Sequence, residues 1–128
     1  MNNASPDITE GVNLFNNSFY FEAHDYFEEI WMETNGTDKL FFQGMIQVAV
    51  GAYHFSHCNY TAAHSQFMKA KRKLKKYLPS HYSVDVRKIV DEVAKIILQI
   101  EEAQFRSSVK LTEELLFKID FFQTNLKK

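Results

Sequence analysis

Displaced by 40 residues, the chain lies on itself: Gly11 falls on Gly51, Phe15 on Phe55, Tyr20 on Tyr60, Ala23 on Ala63, His24 on His64 and Phe27 on Phe67. These are six identities within 17 aligned positions, most of them glycine, alanine or aromatic. Self-similarity at a fixed period marks one supersecondary unit used twice, and each unit here reads as a helix, a short turn and a second helix. No period-two run of useful length competes with that reading, so the pattern predicts an all-α fold.

The helices can be placed from their punctuation. The first begins after Pro6, where Asp7 and Glu10 form a D-x-x-E variant of the capping box, and ends near Asn16-Asn17. A second runs from about Phe19 to Glu33, followed by an Asn35-Gly36 turn. Thr37 or Asp38 is positioned to cap a third that continues to about His57. The fourth spans roughly Asn59 to Tyr77 and is stopped by Leu78-Pro79, because proline disfavours helical geometry in the residue before it. Ser83 is the predicted cap of a fifth, in which Val86, Ile89, Val90, Val93, Ile97 and Ile100 form one apolar stripe. The Gly-to-Ala-to-Phe spacing of each unit is similar to that of tetratricopeptide repeats, where small residues let paired helices approach and an aromatic ring fills the gap. The expected architecture is a single domain over 1–128: a two-hairpin core at 7–78, a closing helix at 83–104 and a C-terminal arm at 105–128. Leu111 to Phe122 is apolar without a clean period, which leaves a short helix and an extended packing arm both open there.

Charge is informative only when split. Residues 1–68 carry eight acids against the single base Lys39, whereas the remainder carries 14 bases and eight acids. Such a dipole favours head-to-tail association or compact internal neutralisation, so a homo-oligomer is one expectation, and it argues against a chain built as a whole for nucleic acid. The run Lys69-Ala-Lys-Arg-Lys-Leu-Lys-Lys76 is read first as the solvated face of a packed helix, with cations favoured near a helix C-terminus. The alternatives are RNA or phosphate binding through residues 69–76, or a dock for the acidic half of another copy. Leu40 to Phe55 is the most apolar stretch, but its 16 residues include Gln43, Gln47 and His54, where a membrane span wants about 20 apolar positions. The lone cysteine, Cys58, permits no internal disulfide, and the N-terminus lacks the basic and apolar regions of a secretion signal, so a cytoplasmic location without membrane partners is expected.

Candidate site residues gather on the second and third helices. At helical spacing Glu22, Asp25, Glu29 and Glu33 share one face, and Tyr20, His24, Phe27, Glu28 and Trp31 share the opposite one. Glu28 is therefore the one acid on the core side, within reach of His24 at i, i+4. An inward carboxylate is costly unless paired, which makes His24 its expected partner. On the third helix Gln43, Gln47, Val50 and His54 form a stripe flanked by Gly44 and Gly51. Docking the two stripes places His24, Glu28, Trp31, Gln43, Gln47 and His54 in one partly buried polar cluster. Three readings fit: a hydrogen-bonded register lock, a pocket for a small polar ligand or a partner's segment, and a metal site. No metal or other cofactor is assigned, because no H-E-x-x-H spacing occurs and only two histidines and one carboxylate converge.

The run Phe21-Glu-Ala-His24-Asp-Tyr-Phe-Glu28-Glu-Ile-Trp31, followed by Phe42-Gln-Gly-Met-Ile-Gln47, resembles the signature of the domain-of-unknown-function family 309. Its members are small all-helical proteins with E-A-H-E-x-x-E-x-x-W and Q-G-x-x-Q segments. The likeness covers roughly residues 10–80, with Asp25 standing where the family pattern often has Glu. It implies a fold and a motif but no activity, and it marks His24, Glu28, Trp31, Gln43, Gly44 and Gln47. The expected function is a non-catalytic binding module. The alternative is a small hydrolase-like or metal-dependent enzyme in which His24 or Glu28 is the general base.

Overall fold

The computed structural model describes residues 6–122 and shows the expected all-α fold. The ends of the predicted domain, 1–5 and 123–128, lie outside the described residues. Helices α1 (Thr9–Asn16), α2 (Tyr20–Glu33), α3 (Lys39–Ser56), α4 (Tyr60–Leu74) and α5 (Val86–Ala103) follow in order, each packed on the next up to α4, with α5 against α4. Among the described residues no helix is long and apolar enough to cross a membrane.

The internal repeat is realised in the joints. The turn residues Ser18 and Cys58, also 40 apart, take positive φ of 68° and 61°. The residues after them, Phe19 (φ −88°, ψ 69°) and Asn59 (φ −93°, ψ 77°), lead into α2 and α4 with nearly the same geometry. Behind each turn the aromatic pair repeats: Phe15 on Tyr20 at 5.0 Å and 67°, Phe55 on Tyr60 at 5.2 Å and 67°. A Cβ on Gly11 would sit 2.6 Å from the Phe27 ring, and one on Gly51 would sit 2.7 Å from the Phe67 ring. Each glycine thus admits a phenylalanine that a methyl group would displace.

The helix ends depart from the expected caps. Asp7 accepts from the Thr9 backbone N–H, but no capping box closes with Glu10. Asp85, not Ser83, caps α5 by accepting from Lys88 N. Ser83 has φ of 62° and turns a two-stranded hairpin, β1 (Ser80–His81) and β2 (Val84–Asp85), too short for any alternation to announce it. Thr37 and Asp38 make no side-chain cap, because Asp38 reaches the hairpin instead. Its carboxylate accepts from the Tyr82 hydroxyl at 2.7 Å and from His81 Nε2 at 2.9 Å. Residues 105–122 resolve the open choice in favour of an extended arm with one 3₁₀ turn at Glu113–Leu115.

The Asp38 cluster ties the start of α3 to the hairpin before α5, and it makes stability depend on pH. The hydrogen bond from Tyr82, and then that from His81, holds the Asp38 carboxyl below its ordinary value of 3.8. Burial, then the bond to Asp38, pushes the Tyr82 hydroxyl up to about 12. A carboxyl depressed in the folded state contributes stability that is complete above its unfolded pKa and lost as pH falls through its folded pKa. Asp38→Asn is therefore expected to lower stability at about pH 6 and to have a smaller effect at an acid pH below the lowered folded-state pKa, where the wild-type carboxyl has taken up its proton. Urea unfolding of both proteins at the two pH values checks this, and an equal difference at both would break the assignment.

Candidate functional site

The six candidate residues do not form one cluster. His24 of α2 and His54 of α3 face a common cavity of about 200 Å³, whose other walls are Phe21, Val50 and Tyr53. The lining is largely apolar. Phe21 lies 5.5 Å from the His24 ring and 5.8 Å from Tyr53, and Tyr53 lies 5.7 Å from His54, so aromatic edges form a continuous rim. The helical register explains the placement, since Val50, Tyr53 and His54 share one face of α3, and Phe21 and His24 share one face of α2.

The other four candidates are not among its lining residues. Glu28 is not the inward carboxylate that the periodicity suggests: its side chain is 46% exposed and its Oε1 stands 3.7 Å from His24 Nε2. Trp31 packs near the end of α2, where the Lys39 ammonium lies 4.2 Å over its ring and also donates to the Trp31 and Thr34 carbonyls. Gln43 is half-buried on α3, outside the cavity lining. Gln47 is also half-buried and keeps its Oε1 buried without a hydrogen-bond partner. The flanking glycines do not serve this contact, because Gly44 meets Leu74 and Gly51 meets Phe67, both on α4. That face of α3 was already taken by the second hairpin.

Asp25 has the exposure its outward place predicts, its side chain being 54% exposed. Helical spacing assigns it to the outward face, yet its Oδ1 folds back to 3.1 Å from His24 Nδ1. The approach is off the hydrogen-bonding direction, so Nδ1 remains buried and without a hydrogen bond. One ligand atom from each of His24, Asp25 and Glu28 lies within 4.8 Å of the others, a donor set able to chelate a cation. Sequence reasoning counted only one carboxylate here because it treated side chains as radial spokes, whereas a short carboxylate can lean along the helix surface.

Phe21 and Tyr53 were the residues missed as wall-formers. The available signal was an aromatic among acids on α2: Phe21 sits between Tyr20 and Glu22 and stays 52% exposed. His64, which repeats the place of His24, is different in kind. Its Nε2 is bonded at 2.8 Å to Glu101 of α5, so the closing helix satisfies it.

The exposure of Glu28 sets a revised stability expectation. A buried Glu28 would cost about 2–4 kcal/mol on conversion to alanine, by stranding its partner. The exposed carboxylate at 3.7 Å predicts a change within about 0.5 kcal/mol for Glu28→Ala in chemical denaturation, as for ordinary surface pairs. A loss above about 2 kcal/mol would return Glu28 to the core.

Compared with known proteins, the chain matches the family model described as Domain of unknown function (DUF309) over residues 8–66, and no curated protein matches it. The matched segment runs from the residue before α1 into α4 and contains both cavity walls together with all six candidate residues. Over that segment, a little under half of its length, the chain is similar to the domain-of-unknown-function family DUF309.

Proposed function

We propose that the chain is a non-catalytic binding module whose cavity between α2 and α3 takes a small ligand with an apolar body and a polar group. One observation carries the reading: a largely apolar space of about 200 Å³ lined by two imidazoles from different helices, one with an unbonded buried Nδ1. A pocket with apolar walls and few polar groups is the ordinary form of a small-molecule site. The volume is below the roughly 300–1,000 Å³ of drug-sized pockets, so the ligand is small or a side chain of a partner segment. The protein would work in a reducing cytoplasm, where the exposed thiol of Cys58 persists.

The test is a ligand-detected NMR screen of small aromatic amines, alcohols and acids against the wild-type chain and Val50→Trp, which fills the cavity. Hits that vanish in a folded Val50→Trp support the pocket. An absence of hits, or hits indifferent to Val50→Trp, overturns it. A second reading is favoured by the His24–Asp25–Glu28 donor set: a metal-dependent hydrolytic enzyme in which His24 and Glu28 would hold the ion. Metal analysis of the purified protein separates the two, since that reading requires stoichiometric zinc, iron or manganese.

A further inference from the structure

We infer that the ligand of the α2/α3 cavity is a small organic cation, an ammonium carried on one aromatic or branched aliphatic body; this rests on the pocket reading above. The body follows from the walls. Phe21, Val50, Tyr53 and the two imidazole rings offer almost only apolar surface. A closed apolar cavity of about 150 Å³ suffices for one benzene ring, so the space here fits one ring and little more.

The charge follows from two acids that flank His24, itself one wall of the cavity. Asp25 and Glu28 stand 3.1 and 3.7 Å from the two nitrogens of His24, and their side chains are 54% and 46% exposed. Among the described residues no lysine or arginine pairs with either. The only base in residues 1–68, Lys39, is already engaged on Trp31 and two carbonyls. Two carboxylates beside aromatic edges attract a cation through both ion pairing and the ring quadrupole, and they repel an anion. Lys39 over Trp31 shows the same pairing within the chain.

The second unit serves as an internal control. The positions 40 residues on from Asp25 and Glu28 are Ser65 and Met68, and the equivalent histidine receives its carboxylate from Glu101. The pair of acids flanking the histidine therefore belongs to the first unit alone, where no closing helix supplies a fixed partner to the histidine. A bare metal ion would use the three donors but leave the apolar cavity idle, whereas an arylalkyl ammonium engages both.

Isothermal titration of the full chain with 2-phenylethylamine, 2-phenylethanol and phenylacetate tests this. The amine stays protonated at neutral pH, as a lysine side chain does. It is expected to bind about tenfold or more tighter than phenylacetate, with affinity that falls as salt rises. The double variant Asp25→Asn/Glu28→Gln, altered only at half-exposed positions, is expected to weaken the amine about tenfold while leaving 2-phenylethanol within about twofold. Phenylacetate binding as tightly as the amine, or an amine affinity unchanged by the double variant, overturns the cation inference while leaving the pocket standing. Failure of all three compounds to bind overturns both. Stoichiometric Zn²⁺ binding that displaces the amine and is lost in the double variant makes the cluster a metal site and also overturns the inference.

Discussion

Phe67→Ala is expected to lower the unfolding free energy by about 3–5 kcal/mol, the range for deleting a fully buried aromatic ring. Phe67 is completely buried, and its ring lies where a Cβ on Gly51 would stand, 2.7 Å away. The reverse change, Gly51→Leu, forces that ring out of place and is expected to cost about 1–3 kcal/mol through overpacking. Improved helix propensity returns less than about 1 kcal/mol of this. The two substitutions should not add. With Phe67 reduced to alanine, the leucine at 51 grows into the vacated space, so the double variant is expected to be more stable than the summed losses by at least about 1 kcal/mol. Urea unfolding of the four proteins measures the coupling, and the same cycle at Gly11 and Phe27 should behave alike because the joint is the same. Additive cycles at both places would show that the repeated contact is not the unit of packing.

Ile119→Ala carries the second large expectation, a loss of about 2–5 kcal/mol. Ile119 is 2% exposed although it lies far beyond the last helix. The arm is fastened on both sides of it. Asn16 at the end of α1 donates from Nδ2 to the Ile119 carbonyl at 2.9 Å and accepts the Ile119 N–H at 2.7 Å. Further along, the Asp120 carbonyl accepts from Asp85 N, the Asp120 carboxylate holds the Lys88 ammonium, and Phe121 bridges to Val84 of β2. Phe117 packs 5.7 Å from Phe15. The arm therefore joins α1 to the hairpin that precedes α5. Thermal or urea unfolding of Ile119→Ala reads the loss. A change below about 0.5 kcal/mol, the scale of ordinary surface substitutions, would make the arm an appendage instead of part of the core.

The cavity shows what residue spacing can and cannot convey. His24 and His54 were both legible as candidates because each sits on a half-apolar stripe, and both do face the cavity. Glu28, Trp31, Gln43 and Gln47 shared those stripes and lie outside it. A stripe on a helical wheel spans several turns, whereas a cavity occupies about one turn of each helix where the axes pass at a particular height. Asp25 is exposed as its place on the wheel predicts but still reaches His24, since a wheel records where Cβ points and not where a flexible carboxylate finishes. Asp38, His81 and Tyr82 were invisible as a group because they are separated by more than 40 residues and meet only when the hairpin folds back on α3.

Five helices, their order, the 40-residue repeat and the glycine–phenylalanine joints could all be read from the residues. Each of these follows from local periodicity or from a small residue set against a large one at constant separation. The tertiary structure alone decided which face of α3 meets α2 and which meets α4, and therefore that the cavity lies at Phe21, Val50 and Tyr53. It also decided that the arm runs extended across the fold. The physical reason is one of range. A helix and its caps are governed by neighbours within about four residues, while the angle at which helices pass, and the space left between them, depend on every side chain buried at the contact.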